Sequence, residues 1–166
     1  MFKIILNKPH IGEIISLRTC ESVGELIENI FPQSNDCFYI KWNNIDVSLS
    51  YKYDLSIIFD DIVYIVKFLE SQGDFLQMTF PSNTFDVIWN IKKDDNIIII
   101  TSQWNTVLSH NEEILNENPI LRVDLNLFQK ELSKLLNFVY EIIINRKYDI
   151  NKQLLIDILE NKPDSL

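Results

Sequence analysis

The stretch CFYIKWNNIDVSLSY, residues 37–51, constrains the fold more than any other part of the chain. Apolar and polar residues alternate on both sides of Asn43–Asn44, and asparagine tolerates the positive φ that a two-residue hairpin turn demands. A turn of that length fixes the register. Trp42 then faces Ile45, Ile40 faces Val47 and Phe38 faces Leu49, with all six on one side of the ribbon. The other side pairs Lys41 with Asp46 and Tyr39 with Ser48. A lone hairpin is marginal in water, so other elements must cover its apolar side.

Two long amphipathic segments are suited to that task. In YDLSIIFDDIVYIVKFLESQG (53–73), Leu55, Ile58, Phe59, Ile62, Ile65, Val66 and Leu69 recur at helical spacing. Asp54 reads as the cap and Gly73 as the stop. In NLFQKELSKLLNFVYEIIINR (126–146), the stripe is Phe128, Leu132, Leu135, Leu136, Val139 and Ile143. Two shorter helices are expected. Residues 22–31 open on Ser22 with Glu25 at capping-box spacing and end before Pro32. Residues 151–161 should bury Leu154, Leu155, Ile158 and Leu159.

Further strands are read at 2–6, 12–18, 75–80, 84–91, 96–104 and 120–125, with EEILN (112–116) a helical turn that Pro119 ends. Between the strands at 84–91 and 96–104, a short turn would set Ile91 opposite Ile98, Trp89 opposite Ile100 and Phe85 opposite Trp104. The reverse face then carries Ile88, Ile97 and Ile99, which need a cover from the C-terminal helices or from a partner. Hairpins interleaved with helices predict an α+β domain: one mostly antiparallel sheet of about 6–8 strands, packed with two long helices and two shorter ones. The 166 residues suit one domain, with the last few expected to fray.

Composition narrows the function. With 46% apolar and 23% charged residues, the chain is an ordinary globular one. A net charge of −9 disfavours nucleic-acid binding, where a basic surface supplies most of the affinity. Missing alanine and abundant Ile and Asn fit AT-rich coding, as in a bacterium or phage. Cys20 and Cys37 show no metal-ligand or CxxC spacing and read as reduced thiols. No segment reads as a signal peptide or a membrane span, so a cytoplasmic protein is expected.

No motif of catalysis is present. The histidines are His10 and His110, and neither lies in a GxSxG or HExxH pattern. Glycine-rich phosphate loops and calcium loops are missing as well, so no cofactor and no metal are expected. Asp60 and Asp61 are adjacent on a helix and diverge by about 100°, which suits solvated charges better than a shared proton. Trp42, Trp89 and Trp104 each fall on an apolar strand face, which suits a core better than a base-stacking platform. His110 in its polar loop reads as a solvated side chain.

Charge distribution is the remaining signal. Residues 19–40 hold Glu21, Glu25, Glu28 and Asp36 with no Lys or Arg. Residues 94–121 hold Asp94, Asp95, Glu112, Glu113 and Glu117, again with none. Solvated faces usually mix the signs. A one-signed surface attracts a cationic partner and speeds its encounter, and those last five carboxylates are the candidate partner-binding residues.

In size, in acidity, and in the stretches SYKYDLSIIFDDIVYIV and FPSNTFDVIWNI leading into TSQW, the chain resembles the small acidic immunity proteins of bacterial polymorphic-toxin and contact-dependent inhibition systems. The resemblance covers about residues 36–145. It implies a non-enzymatic cytosolic protein that binds a cognate basic toxin domain, such as a nuclease, and blocks its active site or a neighbouring surface. Two other readings stand beside it. One is a small enzyme using His110 with nearby carboxylates. The other is a phage-type acidic inhibitor. The sequence leaves oligomeric state open.

Overall fold

The computed structural model describes residues 1–13, 16–146 and 148–161. Among them the chain forms seven strands and five helices, an α+β domain. The strands are divided between two antiparallel sheets, β1-β2-β3 and β4-β5-β6-β7, where the sequence suggested a single one. The first holds β1 (Phe2–Ile5), β2 (Cys37–Trp42) and β3 (Ile45–Ser50). The second holds β4 (Phe75–Ser82), β5 (Phe85–Asp94), β6 (Ile97–Val107) and β7 (Ile120–Asp124). The helices are α1 (Val23–Ile30), α2 (Asp54–Glu70), α3 (Glu112–Glu117), α4 (Leu125–Asn145) and α5 (Lys152–Asn161).

The 37–51 hairpin has the predicted register, with Trp42 opposite Ile45, Ile40 opposite Val47 and Phe38 opposite Leu49. Asn43 and Asn44 both take positive φ, 46° and 71°. On the far side, Lys41 Nζ lies 2.6 Å from Asp46. The apolar side meets the second sheet through tryptophan. Trp42 stacks on Trp89, with centroids 5.6 Å apart, and meets Trp104 edge-on at 5.1 Å. All three rings are buried, so they are core. Such aromatic pairs add about 0.5–1.5 kcal/mol each beyond the area they bury.

The register of β5 on β6 differs from the expected one by two residues. Ile91 faces Ile100, Trp89 faces Ser102 and Val87 faces Trp104. The turn is tighter, at Asp95–Asn96, and Asp95 takes φ 53°. A two-residue slip preserves the alternation, so the same side chains stay inside. Ile88 and Ile99 are half-buried on the outer face and Ile97 is exposed, so the C-terminal helices do not cover them.

Both long helices bury the stripes the sequence predicts, and α4 also buries Ser133 and Tyr140. Their ends differ from expectation. Asp54 does not cap α2: it is the first helical residue, fully buried. Its carboxylate accepts from Ser50 N–H at 2.7 Å, from Thr84 Oγ1 at 2.6 Å and from the Ser82 hydroxyl. It therefore fastens the end of β3 and the β4–β5 turn to the start of the helix. Gly73 does not stop α2 either. The helix ends at Ser71, where Lys93 Nζ donates to the carbonyls of Phe68 and Ser71 at 2.6 and 2.7 Å. A cation there also suits the negative end of the helix dipole.

The smaller elements follow the same logic. Ser22 Oγ accepts from Glu25 N–H as a capping box requires, while Glu25 returns its bond to Glu21 N–H. Gly24 lies so close to α2 that a Cβ there would sit 2.4 Å from the Ser56 carbonyl oxygen. On α5, Leu154 and Ile158 are buried, but Leu155 and Leu159 are exposed, contrary to expectation. A helix lying on one side of the core hides only its i, i+4 pair. The strand expected at 12–18 lies partly outside the described residues, and its described part forms one parallel bridge, Leu17 to Ile150. The expected fraying of residues 162–166 lies outside them altogether. No described helix is long and apolar enough to cross a membrane.

The free edge of β1 is closed by side chains. Glu131 accepts from Ile4 N–H at 2.7 Å, and Lys134, paired with Glu131, donates to the Ile4 carbonyl. An exposed strand edge invites pairing with another chain; here two residues of α4 occupy it.

Two variants test the packing. Asp54→Ala strands one buried N–H and two hydroxyls and is expected to cost about 3 kcal/mol, against about 1 for Thr84→Ala, in urea unfolding. Gly24→Ala should destabilise despite alanine's helix advantage of about 1 kcal/mol, because α1 must lift off Ser56; a stabilised variant would show that the helices give way freely.

Candidate functional site

The five candidate carboxylates fall into two groups at opposite ends of β6. Asp94 ends β5 and Asp95 lies in the turn, both exposed. Glu112, Glu113 and Glu117 lie on α3, which runs back along the last part of β6, where Glu112 bonds Val107 and Asn116 bonds Trp104. The first half of β6 separates the groups, roughly 20 Å at strand spacing. The acidic run is therefore continuous in sequence and split in space.

Within the α3 group the roles differ. Glu112 Oε1 accepts from Val107 N–H at 2.7 Å, closing the turn between β6 and α3. That bond chiefly, aided by His110, holds its carboxyl below the usual range. Glu112 is thus a structural residue. Glu113 and Glu117, one turn apart, join His110, Asn111 and Ile114 around a shallow recess of about 410 Å³. His110 takes φ 51° in the turn. Its neighbour Ser109 is hydrogen-bonded to Asn111 at 2.8 Å, so this hydroxyl and the imidazole do not form a nucleophile–base pair. His10, the other histidine, is exposed and lies 3.1 Å from Asp36. Among the described residues, no three His, Cys, Asp or Glu side chains converge as metal ligands would.

The second lysine-free segment, residues 19–40, gains an acidic neighbour through folding. Because Gly24 lets α1 approach α2 closely, Glu21 and Asp60 come to line one cleft. With α5 they bound a cleft of about 380 Å³. Among the described residues, Asp60, Asp157 and Glu21 are its carboxylates, and Lys67 also lines it. Its apolar lining includes Val23, Val63, Tyr64 and Leu154. Tyr140 forms part of the wall. Burial first, and then the charge of Asp60, raise its phenol above the ordinary range. Asp61 is half-buried beside Asp60, and burial and that neighbour push its carboxyl up. The two aspartates differ in environment, as divergent helix positions should.

The sequence did not mark this cleft. Asp60 read as a solvated charge on a helix face, and Asp157 lay on a helix whose position nothing local indicated. The available clue was the charge bias of residues 19–40 next to α2, whose solvent face carries exposed Ile57 and Tyr64. Compared with known proteins, the chain matches no family model, no curated protein and no solved structure.

Glu112 makes the site testable by pH. Its bond favours the ionised form, so it stabilises the fold above the ordinary carboxylate range and is lost as pH falls through the lowered value. Glu112→Gln should unfold more easily at pH 7, by no more than about 1 kcal/mol given its exposure. The two stabilities should converge once the pH falls below that lowered value. Parallel curves would remove this role.

Proposed function

We propose that this protein works by docking onto a cationic protein domain and neutralising it, in the manner of an immunity protein bound to its toxin. The partner is a basic domain, such as a nuclease, whose active site or adjoining surface becomes covered. The observation that supports this reading is the pairing of predominantly acidic charge with exposed apolar side chains. Glu21 and Asp60 line one cleft with Tyr64, and α2 also exposes Ile57; Ile57 and Tyr64 are 48% and 57% exposed. Carboxylates raise the encounter rate with a basic partner, and a few buried aromatic or aliphatic anchors supply most of the affinity.

Three acidic zones compete for the interface: the α1–α2 surface, Glu113 with Glu117 on α3, and Asp94 with Asp95. A standard interface covers about 800 Å² on each partner, a disc roughly 30 Å across. The zones at the two ends of β6 therefore cannot both lie near its centre. The direct experiment is co-expression with toxin domains encoded beside this chain. Survival of the cells is the expected outcome, and failure to rescue them would end the reading. With a partner in hand, reversing Glu113 and Glu117, or separately Asp94 and Asp95, should slow association and flatten its salt dependence for one pair only. Wild-type on-rates for both reversals would place both zones outside the interface.

A further inference from the structure

We infer that the cleft between α1, α2 and α5 receives an arginine side chain from the cationic partner, an inference that rests on the docking function above. Its shape and lining favour that occupant. At about 380 Å³, the cleft is at the lower end of ligand-sized recesses. It has room for a long side chain and part of its backbone.

The chemistry changes along its length. Val23, Val63 and Leu154 offer an apolar surface for a methylene stem. Tyr64 presents an exposed ring at the same opening, on which a planar guanidinium stacks. Glu21 and Asp60 supply carboxylates for its five donors, and among the described lining they and Asp157, itself bonded within the protein, outnumber the single ammonium of Lys67. Lysine suits the cleft less well. A compact ammonium lacks the plane for Tyr64 and the fork for two carboxylates.

The surrounding packing holds this arrangement in place. Lys67, Tyr140 and Asp157 are already engaged with protein groups. Asp157 also accepts from Gln153 Nε2 at 3.0 Å. The close crossing at Gly24 and Ser56 fixes the wall carrying Glu21. No comparable set exists around Glu113 and Glu117, whose recess lacks an aromatic residue among its described lining. Asp94 and Asp95 line none of the described recesses that hold the other acidic zones.

The test uses the full chain, labelled with ¹⁵N, and three blocked tripeptides of the form Gly-Xaa-Gly, where Xaa is arginine, lysine or citrulline. The arginine peptide should give saturable amide shifts at residues 21–23, 60–67 and 154–157. The lysine peptide should bind at least threefold more weakly, and citrulline should give no saturable shift. Asp60→Asn and Tyr64→Ala, both at exposed positions, should each weaken arginine binding at least fivefold while keeping the wild-type spectrum elsewhere. Shifts of equal size at residues 110–117, no saturable shift in the cleft, or unchanged binding by both variants would overturn the inference. Rescue separates it from the broader reading. A partner neutralised as well by the Asp60→Asn/Tyr64→Ala double variant as by wild type defeats the cleft alone. A chain that rescues from no toxin domain defeats the docking function, whatever the peptides do.

Discussion

The buried carboxylate of Asp54 ties the two halves of the molecule together. It lies at the start of α2, where the helix dipole favours negative charge, and three donors from both sheets converge on it. The β4–β5 turn shows why this matters. Neither Asn83 nor Thr84 has the positive φ that matches a two-residue turn to the twist of its strands. The turn is held instead through the hydroxyls of Ser82 and Thr84, and a bulge at Asp86/Val87 restores twist immediately after it. Without the carboxylate, the second hairpin would lose its anchor to the helix that packs beside it.

Tryptophan closes the other side of the same joint. Trp42 hydrogen-bonds the Asn118 carbonyl at 3.1 Å while stacking on Trp89. The first hairpin thus touches both the second sheet and the loop after α3. Asn43 extends this link by donating to the Ile120 carbonyl at 2.8 Å. The asparagine turn therefore has two uses: its backbone sets the hairpin, and its side chain docks the hairpin on β7. With these contacts the two sheets share one core.

Much of this fold was legible in the sequence wherever periodicity and turn chemistry agreed. The 37–51 hairpin, the stripes of α2 and α4 and the burial of the tryptophans all follow from local pattern. What escaped depended on distant partners. Asp54 resembled a cap because two of its three donors, Ser82 and Thr84, are some thirty residues away. Lys93 belonged to a turn signal, yet its ammonium closes a helix. The split into two sheets could not be read from strands whose pairing is identical in kind. The functional surface was legible only as charge bias: residues 94–121 separate in space, whereas Glu21 and Asp157, far apart in sequence, meet at one cleft.

The sealing of β1 carries a consequence for how the chain is made. β1 owes its closed edge to Glu131 and Lys134, about 130 residues later in the chain. Contacts of such sequence separation form late and slow folding. Until α4 emerges, β1 is an open β-template in the growing chain, the kind of surface that holding chaperones shield from neighbouring chains.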